Sequence, residues 1–113
     1  MPETLAARQL DAYNRADLDA FCACYHPDVV MLDGDGAVDC EGRPALRERY
    51  TALFATGGFG ATVSERIVVG RHCVDRELWW RSDPDTGARS EGLVLVRYTV
   101  KDGLIAVAQF FEP

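Results

Sequence analysis

The spacing of apolar positions along the chain changes near residue 60, from helical to alternating. From Glu3 to Tyr13, Leu5, Gln9 and Tyr13 recur at i, i+4 and i+8 with Ala6 and Leu10 beside them, the stripe of a helix. Asn14 can take the left-handed conformation that stops a helix. Asp17 is suited to cap a second helix, whose buried side carries Leu18, Phe21, Cys22 and Tyr25. Pro27 cannot continue that helix. Asp28 to Leu32 reads as a short apolar strand, Asp33-Gly-Asp-Gly as a turn, and Ala37 to Cys40 as a second short strand. Gly42-Arg43-Pro44 opens a third helix with proline at its first position, and Leu46, Tyr50, Leu53 and Phe54 form its buried stripe.

Beyond the flexible loop Thr56 to Gly60, strand signals dominate. The expected long strands are Ala61 to Gly70, His72 to Ser82, Arg89 to Val100 and Leu104 to Phe111. Asp83-Pro-Asp-Thr-Gly87 makes one hairpin turn. Lys101-Asp102-Gly103 makes the other, because Asp-Gly supplies the positive φ angles. Helices first and an antiparallel meander afterwards is an α+β order. The expectation is one domain, residues 1–113, with three helices packed on a curved, mainly antiparallel sheet.

Alternation sorts the faces of the strands. Asp75, Glu77, Trp79 and Arg81 share one face of the second long strand, and Val74, Arg76, Leu78 and Trp80 share the other. On the third, Gly92, Val94, Val96 and Tyr98 alternate with Leu93, Leu95, Arg97 and Thr99. Three helices cover only one face of such a sheet. The other face leaves Leu78, Trp80, Leu93 and Leu95 in water, a patch that predicts a homodimer through the outer sheet face.

Composition narrows the function classes. Asp and Glu outnumber Lys and Arg by 18 to 12, for a net charge of −6, which argues against nucleic acid and anionic membranes. No apolar run approaches the roughly 18 residues that span a bilayer. Met1 to Arg15 lacks the apolar core of a signal peptide, so the expected address is the cytoplasm. Cys22, Cys24, Cys40 and Cys73 have no metal-ligand spacing and read as reduced structural thiols. Asp33-Gly-Asp-Gly-Ala-Val-Asp39 begins like a calcium loop but lacks its glycine and terminal glutamate. His26 and His72 have no Ser or Cys at a spacing that suggests a nucleophile, and Arg43, Arg47 and Arg49 read as a solvated helix face.

Four segments carry a family resemblance: Ala12-Tyr-Asn-Arg-Ala-Asp-Leu-Asp-Ala-Phe21, Tyr25-His-Pro-Asp-Val-Val30, Gly42-Arg-Pro-Ala-Leu-Arg47, and Asp102-Gly-Leu-Ile ahead of Phe110-Phe-Glu-Pro113. Over its whole length the chain resembles the NTF2-like superfamily, which includes SnoaL-like polyketide cyclases and ketosteroid isomerase. The resemblance implies a cone-shaped barrel, open at one end, with a small apolar or aromatic molecule between sheet and helices. It implies no metal and no organic cofactor. A shared fold does not by itself carry a shared reaction. Matching strand by strand puts Asp75, Glu77, Trp79 and Arg81 on the inner face with Val94, Val96 and Tyr98. For the last strand two phases are open, and Val107, Gln109 and Phe111 inward is the favoured one. Gln9, Tyr13, Tyr25 and Tyr50 approach the cavity from the helices.

The resemblance also places Asp33 where the isomerase and cyclase relatives carry a general-base aspartate. Burial in an apolar cavity raises a carboxyl's pKa, and such a group can move a proton at a carbon beside a carbonyl. The other reading of Asp33 is a turn residue ahead of glycine. Ketosteroid isomerase needs a tyrosine and a neutral acid around its oxyanion. Those positions are Gln9 and Val96 here, and the proline after the base is Gly34, so that route is not expected. Tyr13, Tyr98, Trp79 and Gln109 are the remaining candidate donors. Two readings of Glu77 are open: a Glu77–Arg81 or Asp75–Arg81 ion pair that satisfies the cavity wall, or a second acid sharing proton transfer with Asp33. The functional expectation is a SnoaL-like protein that binds a small apolar or aromatic molecule, with cofactor-independent isomerase or lyase proton transfer by Asp33 left open. The alternative is a non-catalytic binding or interaction module whose pocket is filled by its own side chains, Trp79, Tyr25, Tyr50 and Phe111 being large enough to plug it.

Overall fold

The change of period near residue 60 is where the chain passes from helices to long strands. The computed structural model describes residues 1–113. In chain order the elements are α1 (Pro2–Asn14), α2 (Leu18–Ala23), β1 (Tyr25–Leu32), β2 (Val38–Glu41), α3 (Arg43–Thr56), β3 (Phe59–Val69), β4 (His72–Ser82), β5 (Arg89–Lys101) and β6 (Leu104–Phe111). The strands form a single six-stranded sheet in the order β2-β1-β6-β5-β4-β3. Neighbours are antiparallel except β1 and β6, which run parallel. The sheet does not close into a barrel: β2 and β3 remain its edges. The expected α+β arrangement is therefore present, with the two short strands joined to the same sheet as the four long ones. No helix is long and apolar enough to cross a membrane.

The helix ends follow local chemistry. Asp17 caps α2, its carboxylate accepting from Ala20 N at 3.1 Å. The left-handed residue between α1 and α2 is Ala16 (φ 53°), not Asn14. Asn14 stays helical because its side chain is used elsewhere. Its Nδ2 donates to Ala61 O at 2.9 Å and its Oδ1 accepts from Ala61 N at 2.8 Å, which fastens the end of α1 to β3. Strand β1 starts earlier than expected, at Tyr25, because Ile105 N donates to Cys24 O at 2.9 Å and Tyr25 pairs with Ile105. Arg43 is not merely solvated: its guanidinium donates to Tyr25 O. Arg47 and Arg49 form exposed pairs with Asp19 and Asp39. All four cysteines are free and buried.

The helices cover one face of the sheet. Between them and the strands lies a core that includes Phe21, Val29, Met31, Leu46, Val96 and Ile105, all nearly inaccessible. Two adjacent tryptophans on β4 are accommodated by glycines across the ladder. Trp79 pairs with Gly92 on β5 and Trp80 with Gly60 on β3. A Cβ at Gly92 would stand 2.5 Å from the Trp79 ring, and one at Gly60 would stand 2.7 Å from the Trp80 ring. Each indole thus lies flat over a neighbouring backbone, one on each face of the sheet.

The phase of β6 is opposite to the favoured expectation. Val100 pairs with Ile105 but Thr99 pairs with Val107, so Ala106 is an extra residue on β6. After this bulge Ala108 is fully buried and Phe110 faces the helices. Val107, Gln109 and Phe111 consequently lie on the outer side. Gln109 there accepts from Arg97 at 2.9 Å and donates to Asp33 O at 3.0 Å.

Because Asn14 satisfies both polar groups of one β3 residue, Asn14→Ala is expected to destabilise the fold by about 1–3 kcal/mol. Urea denaturation measures this directly, and an unchanged midpoint would show that the α1–β3 fastening contributes nothing.

Candidate functional site

An interior cavity of about 160 Å³ lies between the helices and the concave face of the sheet. Gln9 and Tyr13 reach it from α1, Phe21 from α2, Tyr25 from β1 and Tyr50 from α3. Glu77, Trp79 and Arg81 form its β4 wall, Val94 and Tyr98 its β5 wall, and Phe110 reaches it from β6. Glu77, Trp79 and Arg81 share one face of β4, as Val94 and Tyr98 share one face of β5, and both faces border the cavity. The aromatic rings tilt against one another rather than stack: Phe21 meets Tyr13 at 48°, Tyr25 at 51° and Tyr50 at 58°.

Gln9 organises one side of the cavity. Its Nε2 donates to Tyr98 Oη at 2.9 Å and to Ala6 O at 3.1 Å, while Tyr25 Oη donates to its Oε1 at 3.3 Å. Gln9 is 4% exposed, so these bonds satisfy a side chain that would otherwise be costly to bury. Burial raises the pKa of Tyr25 and Tyr98 well above that of a free phenol, and raises those of Tyr50 and Tyr13 as well. All four hydroxyls are therefore protonated donors at neutral pH.

Glu77 is the half-buried carboxyl of the cavity wall, and exposed Glu112 stands at the rim. Burial pushes its pKa up from an ordinary 4.5 to about 7, and the nearby charge of Asp75 adds to the effect. The expected ion pairs with Arg81 are absent. Asp75 is instead held by Arg66 of β3, through bonds of 2.7 and 2.9 Å, because Asp75 and Arg66 face each other directly across the β3–β4 ladder. Arg81 lies four residues further along the same strand face, with its guanidinium 5.6 Å from the Trp79 ring centre. Four residues along a strand cover about 13 Å, beyond the reach of a Glu77–Arg81 contact. Glu77 is left facing aromatic rings without a cationic partner.

Asp33 is not in the cavity. It is exposed, and its Oδ1 accepts from Asp35 N at 3.0 Å and Ala37 N at 2.9 Å, which closes the β1–β2 turn. Simple alternation from the inward Met31 would aim Asp33 inward, but β1 ends at Leu32, and the turn that Asp33 closes sets its direction instead. Val96 is fully buried yet belongs to the packed core, with Val94 taking the place at the cavity wall. Gln109 and Phe111 lie outside for the reason given by the β6 bulge. Phe110 was hidden by that same bulge. Phe21 was legible only as a buried helix residue, since nothing in its spacing marks a cavity wall. No three His, Cys, Asp or Glu side chains converge as a metal site.

The raised pKa of Glu77 has a definite consequence for stability. A carboxyl with a higher pKa folded than unfolded binds more protons in the native state between the two values. Stability from this group is therefore full below pH 4.5 and falls as pH rises to about 7. The loss is on the order of 3 kcal/mol, and Glu77→Gln is expected to remove it. Denaturation of both proteins at pH 5 and pH 8 tests this: the variant gains on wild type at pH 8, whereas parallel pH profiles would contradict an unpaired buried carboxyl.

The family model for the SnoaL-like domain matches residues 6–108. No functionally curated protein matches the chain. Several solved structures share its fold. A putative polyketide cyclase from Sinorhizobium meliloti is 24% identical with a TM-score of 0.77, the match covering 97% of this chain and 94% of that one. A Mycobacterium tuberculosis protein in complex with estradiol-17β-hemisuccinate is 18% identical with a TM-score of 0.85, covering 96% and 91%. A Catenulispora acidiphila protein with a ketosteroid isomerase-like fold, in complex with trimethylamine, is 13% identical with a TM-score of 0.79, covering 94% and 82%. At these identities the structural likeness establishes the fold alone. The family match spans nearly the whole chain, and the chain belongs to the SnoaL-like domain family within the NTF2-like fold.

Proposed function

We propose that this SnoaL-like protein binds a small molecule in the cavity between helices and sheet and transfers a proton on it, with Glu77 as the acid–base group. The observation that carries this reading is the Glu77 carboxyl on an aromatic wall without an ion-pair partner, its pKa near neutrality. A group with a pKa close to the working pH both accepts and returns a proton efficiently. The reaction class is an isomerisation or lyase step needing no cofactor. Tyr98 is the first candidate to stabilise developing negative charge on the ligand. Its hydroxyl accepts from Gln9 and retains its own proton to donate. Two structural relatives were solved with small molecules, trimethylamine and estradiol-17β-hemisuccinate, which supports ligand binding in this fold. Glu77 thus replaces Asp33 as the proposed base.

Volume sets the scale of the ligand. A water molecule occupies about 30 Å³ of liquid, so the cavity holds about five non-hydrogen atoms. The same figure, about 160 Å³, lies below the 300–1,000 Å³ of most ligand pockets. That observation favours the second reading, a non-catalytic module whose pocket is filled by its own side chains.

Butanone fits the volume and separates the two readings. In D₂O the protein is expected to accelerate exchange of its α-protons above buffer, with a rate that rises through about pH 7, and Glu77→Gln is expected to lose about tenfold or more. Proton NMR follows the exchange. No acceleration over buffer would remove the proton-transfer proposal and leave the filled module.

We also propose a homodimer through the outer sheet face. Leu78, Leu93, Leu95 and Phe111 are between 37% and 46% exposed there, and burying them offsets their contact with water. Sedimentation at micromolar concentration is expected to give a dimer that Leu95→Glu converts to monomer. A monomeric wild type would dismiss the interface.

A further inference from the structure

We infer that the cavity selects a small organic cation, an alkylammonium of about five non-hydrogen atoms, held by its tilted aromatic walls and by the Glu77 carboxylate. This rests on the reading of the cavity as a ligand site, and it does not depend on Glu77 moving a proton.

Aromatic faces carry negative electrostatic potential and attract alkylammonium groups, most strongly where water is excluded. Here Tyr13, Phe21, Tyr25, Tyr50, Trp79 and Phe110 all border one small space. Their mutual tilts of 48° to 58° around Phe21 form a concave surface rather than a parallel stack that would suit a flat ring. Among those rings stands the Glu77 carboxyl, and a neutral apolar ligand would seal it away from water unpaired, at a cost. A cation removes that cost, because its charge takes the place of the partner that Arg81 does not provide.

The other charged groups agree with this sign. Asp75, beneath Glu77, is already neutralised by the two bonds from Arg66. The hydroxyls of Tyr13, Tyr25, Tyr50 and Tyr98 are held protonated and uncharged. At the rim stand exposed Arg81 and exposed Glu112, of opposite sign. The lining therefore carries two carboxyls against one guanidinium, and solvent weakens the repulsion from Arg81. A bare metal ion is a poor alternative, since no cluster of three ligating side chains is present.

Tetramethylammonium and tert-butanol have nearly the same size and shape and differ in charge. Calorimetric titration of the intact protein is expected to show tetramethylammonium binding at pH 8 about tenfold or more tightly than tert-butanol. The preference should shrink at pH 5, where Glu77 is protonated, and shrink likewise in Glu77→Gln to what the aromatic walls alone supply, while tert-butanol binding is unchanged. Equal binding of the two probes to wild type would overturn the cation inference and leave the ligand site standing. A preference undiminished in Glu77→Gln would also overturn it. Binding of neither probe would overturn both the inference and the ligand-site reading beneath it. The wild-type comparison alone decides the first of these, so the test holds even if the variant misfolds.

Discussion

Burying a carboxyl beside aromatic rings without a cation to pair it is the constraint from which the rest of this site follows. Such a group stays neutral to unusually high pH or acquires a charged partner. Within the chain the obvious partners are taken or out of reach: Arg66 holds Asp75, and Arg81 rests against Trp79 at the rim. The alternation of β4 fixes this outcome. Once Trp79 is committed to the inner face, Glu77 must point the same way, because residues two apart on a strand share a face. The chain therefore keeps on its cavity wall a half-buried titratable group that contributes nothing to pairing and lowers stability above neutral pH. An arrangement that costs stability and persists at a cavity is what a functional group looks like.

The cavity exists because large and small residues are matched across the sheet. Trp79 lies against Gly92, which lets a large indole form a wall without projecting across the space. Gln9 ties Tyr98 to Tyr25 and so braces α1 against β5 and β1 at the closed side. Asn14 then fixes the other end of α1 to β3. These two amides hold the helix at a set height above the sheet. The volume that remains, about 160 Å³, is the gap they define.

Much of this was legible in the sequence, for physical reasons. The long strands β4 and β6 appear with the residues expected, since hairpin turns rich in Asp and Gly mark their ends. Strict alternation along β4 and β5 put Glu77, Trp79, Arg81, Val94 and Tyr98 on the inner face. Two of the errors sit where alternation is interrupted or ends. The bulge at Ala106 reversed Gln109, Phe110 and Phe111, and β1 ends at Leu32, one residue before Asp33, where the turn takes over. A one-residue insertion in a ladder leaves no mark in composition, yet it moves every later side chain to the other face. The partner of Asp75 was missed for a related reason, because Arg66 is across the ladder rather than along the strand.

The most direct test of the account is a carbon NMR titration of the side-chain carboxyls, with Glu77 assigned by its absence from Glu77→Gln. The account predicts one glutamate titrating near pH 7. If every glutamate carboxyl titrated near the ordinary value of about 4.3, Glu77 would be solvated or paired in solution and the central claim would be wrong.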